Sequence, residues 1–336
     1  MINIFYKLDY IKTQKVFITK SFKHSIFYNI YLDYLNFFNL PINVNLISSG
    51  PHKRMNNLVK TFKGDREYAF NKIKFKNNYI VQFDKFGENI LNNIILKNSE
   101  SKILVGPLYN KEYDKKLVDY INKYPNIKKV VASKIAFKNA VYEMGHNIDP
   151  KRVVTFPSGI IDEDTLYSNL KYKNRKDKCL IYFKKRPSDD LEKVINLLND
   201  KNIDYEVFRY GEYANKDLIR SALNSKFGIF MSRQETQGFA AQELLSCNIP
   251  LIVWDQKTNY YEDLILSGTT MSYWSNDCGL IVDTFEELKF KFDVFIQNLH
   301  KFQPINLIKE YLTYEKFKKN LKYEFEHFYK INDIER

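Results

Sequence analysis

Apolar residues fall along this chain in short blocks, separated by longer stretches in which they recur every three or four positions. Phe227–Met231 and Leu251–Trp254 are such blocks: too short for helices and without polar alternation, they predict buried strands. Between them Gly238 opens a helix of small and apolar residues, which ends at Asn248, with Pro250 leading into the second strand. Similar blocks predict strands at Ile2–Tyr6, Val16–Thr19, Val44–Ser48, Tyr79–Phe83, Ile103–Val105, Lys129–Ala132 and Val153–Phe156. Helical spacing covers Phe22–Phe38, Lys115–Lys123 and Ala136–Met144 between them. Further on come strands Cys179–Phe183 and Tyr205–Arg209, and helices Glu192–Leu198, Asn215–Asn224 and Phe285–Leu299. One long helix is predicted over Leu307–Tyr329. Strands alternating with helices predict α/β architecture with parallel sheets. The turn Pro157-Ser158-Gly159 and the polar tract to Asp177 mark a division into two halves.

The stretch from Ser232 to Asp255 carries the most chemistry. A helix N-terminus offers free N–H groups and about half a positive charge, which suits a phosphate. Gly238, Ala240 and Ala241 keep bulk away, so a diphosphate can approach the backbone. Glu243 follows Ala240 by three residues, on the helix face of the first-turn amides, where it can accept hydrogen bonds from a sugar diol. Glu235 lies in the loop on the other side of that phosphate position, beside a transferred group. Lys184-Lys185-Arg186 stands where the strand Cys179–Phe183 ends, at the side of a parallel sheet where ligands bind.

Glu235 and Glu243 enclose seven residues, with Gly238-Phe239 inside and Pro250 beyond. This E-x₇-E pattern resembles the signature of GT-B glycosyltransferases, specifically the retaining "group 1" (family four) type. Leu244 stands where that pattern commonly has Ala, and Asn248 where Gly usually ends the helix; Asn is the next-best residue for a left-handed cap. The resemblance implies two Rossmann-like domains facing across a cleft, with a C-terminal helix crossing back to the first. Residues 1–165 would form the acceptor-binding domain, 166–305 the nucleotide-sugar domain and 306–336 the returning helix. It implies that Glu235 contacts the donor sugar as the catalytic residue, Glu243 the ribose, and Gly238, Phe239 and Ala240 the diphosphate, with one of Lys184, Lys185 and Arg186 beside it. PSGIID, from Pro157 to Asp162, loosely matches the turn that closes the family's first domain. Asp162-Glu163-Asp164 also spells the D-x-D metal motif of the unrelated GT-A enzymes, but that reading leaves the two glutamates without a task. No metal and no cofactor is therefore expected, the nucleotide sugar being a substrate. The resemblance is thin over the first hundred residues, where His52 is either a surface histidine or a residue facing the acceptor side of the cleft.

Composition changes this picture little. At 336 residues the chain has room for two cores, and 44% hydrophobic residues suit a globular protein. Cys179, Cys247 and Cys278 show no zinc or redox spacing and read as reduced core thiols. No apolar run approaches the roughly 18 residues of a membrane span, and a charge comes too early for a secretory signal, so cytoplasmic residence is expected. The net charge of +12 is scattered; it suits nucleotide phosphates and allows a peripheral contact with an anionic membrane. The expected activity is transfer of a sugar from a nucleoside-diphosphate donor to a saccharide, lipid-linked or protein acceptor, with retention and without metal. Two alternatives stay open: a nucleic-acid-modifying glycosyltransferase and a catalytically silent nucleotide-sugar-binding protein.

Overall fold

The computed structural model describes residues 3–5, 78–81, 91–92, 100–106, 111–170, 175–261 and 263–329. The predicted helix Phe22–Phe38, the strands Val16–Thr19 and Val44–Ser48, and His52 lie outside them. A first parallel sheet runs β1 (Asn3–Phe5), β2 (Asn78–Val81), β3 (Lys102–Val105), β4 (Ile127–Val131) and β5 (Val153–Thr155), in that spatial order. Helix α1 (Lys111–Lys123) precedes β4, and α2 (Lys134–Lys138) follows it. Ser133 caps α2 by accepting the Ala136 N–H, and the predicted helix then loosens into a π turn, Asn139–Glu143. Alternate residues of β3 face opposite sides: Ile103 and Val105 pack with Leu117 and Ile121, while Leu104 packs on the other face. Apolar residues on both faces are what a parallel sheet covered on both sides requires.

Helix α3 (Glu163–Leu170) opens the second half, and its Leu166 packs into the second sheet's core. The polar tract read as the division between the halves thus contains a helix, and the anticipated boundary at 165/166 falls inside it. The second sheet is also parallel: β6 (Lys176–Lys184), β7 (Asp204–Arg209), β8 (Ser225–Ser232), β9 (Leu251–Trp254) and β12 (Gly279–Val282). Its spatial order is β7-β6-β8-β9-β12, so the direction of winding reverses between β6 and β8. Helices α4 (Ser188–Asp200) and α7 (Phe285–Gln297) cover one face through Leu191, Val194, Leu288 and Phe292. Helices α5 (Asn215–Asn224) and α6 (Phe239–Ser246) cover the other. At the winding reversal Tyr182 and Phe230 are register partners whose rings stack 4.6 Å apart, a pair worth about 0.5–1.5 kcal/mol beyond its buried area. An antiparallel hairpin, β10 (Thr258–Tyr261) and β11 (Leu264–Ser267), which the sequence pattern does not announce, projects after β9.

The predicted single helix over Leu307–Tyr329 is two helices, α8 (Ile305–Tyr311) and α9 (Tyr314–Glu326). The break has a local and a tertiary cause. Thr313 turns away from helical geometry and accepts the Lys316 N–H as a cap. The extended backbone there pairs with the Pro157–Ile161 turn: Ile160 N–H donates to Leu312 O at 2.9 Å, and Tyr314 N–H to Ile161 O at 3.0 Å. Gly159 permits this approach, since a Cβ there would lie 2.8 Å from Thr313 O. The break lets α8 stay on the second sheet, through Ile305 and Ile308, while α9 crosses back to the first. Phe317, Leu321 and Phe325 of α9 pack on Leu104, Val130, Val154 and Phe156.

The halves also meet through hydrogen bonds. Gln237 both accepts from Ser158 N–H, at 3.1 Å, and donates to Ser158 O, at 2.8 Å. Ser133 Oγ donates to Thr236 O at 2.6 Å, and Tyr273 OH to Ala132 O at 2.5 Å. Because α9 supplies the apolar part of this connection, Phe317→Ala should cost about 3–5 kcal/mol in urea unfolding. Phe290→Ala, at a position 83% exposed on α7, should change stability by less than about 0.5 kcal/mol. Similar losses at the two positions would contradict the assignment of α9 to a shared core.

Candidate functional site

Ligands of open α/β sheets bind beyond the carboxyl ends of the strands where the winding reverses. Here those ends are Lys184 of β6 and Ser232 of β8, which are register partners. The strand ends aim two donors at one atom: Lys184 Nζ reaches Glu235 Oε1 at 2.7 Å, and Ser232 Oγ reaches the same oxygen at 2.8 Å. Among the described residues Oε2 takes no hydrogen bond. Lys184 Nζ also lies 4.8 Å from the centre of the Tyr210 ring, which stands at the end of β7. Glu235 is 9% exposed, and an unpaired carboxylate at that depth would cost several kcal/mol.

The backbone around Glu235 is held as firmly as its side chain. Its N–H donates to Thr269 O at 2.9 Å, and its carbonyl accepts from Ser272 Oγ at 2.7 Å. The 269–272 segment is in turn held by Asp255 at the end of β9. Asp255 Oδ1 accepts from Thr270 N–H and Thr269 Oγ1, and Oδ2 pairs with Lys257 at 2.8 Å. Burial pushes the Asp255 carboxyl up, but these hydrogen bonds and the Lys257 charge outweigh it, leaving its pKa below the ordinary aspartate value.

Three residues beyond Glu235, Gly238 takes the left-handed conformation, φ 83° and ψ 52°, as the N-cap of α6. A Cβ there would meet nothing nearer than Glu235 Cβ, at an ordinary 3.5 Å, so it is the backbone angle that favours glycine. No side chain caps this helix. Phe239 and Ala240 begin it and are buried. At the far end Asn248 has φ 56°, the left-handed cap that the sequence predicts.

Glu243 is half-buried on α6, near two phenols from other elements. Burial first, and then the negative fields of Glu243 and Glu235, push the Tyr213 phenol above its ordinary range, despite a hydrogen bond from Tyr182. Tyr314, the first residue of α9, is pushed up by burial and then by Asp162 and Glu243.

The basic triplet is divided. Lys184 joins Glu235. Lys185 takes a positive φ of 51° and is exposed. Arg186 turns away to pair with Asp190 at 2.9 Å, donate to Trp254 O at 2.7 Å and stack over the Trp254 ring at 4.3 Å. Asp162 of the D-x-D accepts from the Thr165 N–H and hydroxyl, so it caps α3. Among the described residues no group of three or more His, Cys, Asp or Glu is placed to hold a metal ion. The three cysteines are buried and unpaired, and burial pushes the Cys247 thiol up to about 12. Sequence reasoning did not single out Ser232, Tyr210, Tyr213 or Asp255 as site residues. Three of the four sit at or just beyond the carboxyl ends of parallel strands, the rule that flagged the basic triplet, and Tyr213 lies a few residues past one.

No family model and no curated protein sequence matches this chain. Solved structures do. The chain is similar to the GtfA/B complex, at 13% identity and TM-score 0.48, covering 75% of this chain and 58% of that one. It is similar to the pneumococcal O-GlcNAc transferase GtfA in complex with UDP and GlcNAc, at 14% and 0.45, covering 76% and 58%. It is also similar to WaaG, a glycosyltransferase involved in lipopolysaccharide biosynthesis, at 10% and 0.44, covering 82% and 96%. The chain thus spans little more than half the length of the first two. Its own two parallel sheets, with a helix crossing back from the second to the first, have the two-sheet α/β architecture that the sequence resemblance implies. Among the described residues no helix is long and apolar enough to cross a membrane.

The depressed Asp255 carboxyl yields a pH dependence. A group whose folded pKa lies below its unfolded value stabilises fully above the ordinary aspartate pKa of about 3.9 and loses that contribution as pH falls through the folded value. Below about pH 4 thermal unfolding should therefore show an acid loss, and Asp255→Asn should flatten that limb while lowering stability at neutral pH. An unchanged limb in the variant would remove Asp255 from the account.

Proposed function

We propose that this chain is a retaining, metal-independent glycosyltransferase that moves a sugar from a nucleoside-diphosphate donor to a saccharide, lipid-linked or protein acceptor. The observation that carries the reading is Glu235: a buried carboxylate with Oε1 tied to Lys184 and Ser232, three residues before a glycine-capped helix at the winding reversal. On this reading the free side of the carboxylate faces the transferred sugar and stabilises positive charge as the glycosidic bond breaks. The diphosphate lies against the first-turn amides of Gly238, Phe239 and Ala240, with Lys184 as its counter-charge. Charge-assisted hydrogen bonds of this kind contribute about 1.5–3 kcal/mol each, so two or three do much of the work of a metal. Arg186, engaged by Asp190 and Trp254, shapes the strand end instead, and Lys185 remains as an outer charge. Glu243 takes the ribose diol, with Tyr213 and Tyr314 beside it. The acceptor is bound by the first half of the chain.

The two glutamates should separate in kinetics. Glu235→Gln keeps shape but removes charge, and should lower kcat on the order of 10²-fold, about 2.7 kcal/mol. Nucleoside diphosphate affinity, measured by calorimetry on the same variant, should stay within roughly threefold. Glu243→Ala should do the reverse, weakening the diphosphate by about 1–3 kcal/mol through unpaired ribose hydroxyls. Equal losses of kcat and affinity in Glu235→Gln would overturn the division of roles, and a folded wild-type chain that transfers no sugar from any donor would overturn the function.

A further inference from the structure

We propose that Glu143, in the first half of the chain, is a positioning residue for Glu235 and acts through the β10–β11 hairpin. Glu143 ends the π turn after α2, where Met144 N–H donates to Asn139 O across five residues. Single π turns of this kind recur at functional sites. Its carboxylate grips one hairpin residue with both oxygens: Ser267 N–H donates to Oε2 at 2.7 Å and Ser267 Oγ to Oε1 at 2.5 Å. The same turn takes what remains of Ser267. Lys138 Nζ donates to Ser267 Oγ at 2.6 Å and pairs with Glu143 at 3.0 Å, while Asn139 Nδ2 donates to Ser267 O at 3.1 Å. Every polar group of Ser267 is thus held from the first half.

The hairpin passes this hold on without slack. Gly268 N–H closes onto Lys257 O at 2.7 Å, and a Cβ on Gly268 would lie 2.8 Å from the Thr258 backbone. The next residue, Thr269, supplies the carbonyl that accepts the Glu235 N–H at 2.9 Å. Ser267 is therefore two residues from the atom that fixes the backbone of Glu235. Burial pushes the Glu143 carboxyl up, but the Ser267 and Lys138 hydrogen bonds outweigh it and hold it below the ordinary glutamate value, as a carboxylate gripped in its charged form should be. The clasp couples docking of the two halves to the placement of the carboxylate that, on the proposed function, faces the sugar.

Amide hydrogen exchange of the full chain tests this without relying on catalysis. Glu143→Ala should speed exchange of the Glu235 amide on the order of tenfold, with β4 amides unchanged. Glu143→Gln keeps an acceptor for Ser267 N–H and should return that rate to within roughly threefold of wild type. Should Glu143→Ala also loosen β4, Ser267→Ala, which removes the two Oγ bonds of the clasp from the hairpin side and leaves its backbone bonds, should speed exchange of the Glu235 amide in the same direction by a smaller factor. Faster exchange at Ser267 with an unchanged rate at Glu235 would overturn the proposal. In turnover, Glu143→Ala should lower kcat several-fold with nucleoside diphosphate affinity unchanged. A loosened Glu235 amide with kcat intact would instead count against the role of Glu235 and leave the clasp standing.

Discussion

Burial of the Glu235 carboxylate is the constraint that the second half of this molecule answers. A negative charge in that position must be matched within reach of a hydrogen bond, and the match comes from adjacent strand ends. Lys184 and Ser232 converge on one oxygen because β6 and β8 are neighbours in register. That neighbourhood follows from the order of the sheet, in which β7 lies outside β6 and the winding turns back through β8. The Tyr182–Phe230 stack locks the same two strands together two residues earlier. The site is therefore built on the part of the sheet where the topology leaves a crevice and where a stacked ring pair joins the two strands.

A second layer of contacts fixes the loop that carries Glu235. Asp255 orders the 269–272 segment, and that segment holds the backbone of Glu235 on both sides. Ser133 and the backbone of Ser158, both in the first half, hold the next two residues of the loop, Thr236 and Gln237. Loop residues held by a rigid scaffold are where binding chemistry concentrates. Here the scaffold spans both sheets, so the loop reports their relative placement. The returning helix α9 serves the same end by apolar means, since Phe317 and Leu321 pack against strands of the first sheet.

Much of this was legible in the chain because its signals are local. The β8-loop-α6-β9 unit, the glycine cap at 238, the left-handed Asn248 and the spacing of Glu235 and Glu243 all lie within a few turns of backbone, where period and capping chemistry act. What only the tertiary structure decided are contacts between distant residues. Lys184, and not Arg186, meets Glu235 across 51 residues, because the side chains of a strand end diverge and Trp254 and Asp190 capture the guanidinium. The long C-terminal helix is broken at Thr313 by pairing with the distant 160–161 backbone, which no helical periodicity can register. The grip of Glu143 on Ser267 spans 124 residues. The sequence by itself determined most of the elements of the two sheets and the chemistry of the β8-loop-α6-β9 unit, since these depend on neighbours in the chain. The tertiary structure decided which groups meet, since that depends on packing between elements that share no local pattern.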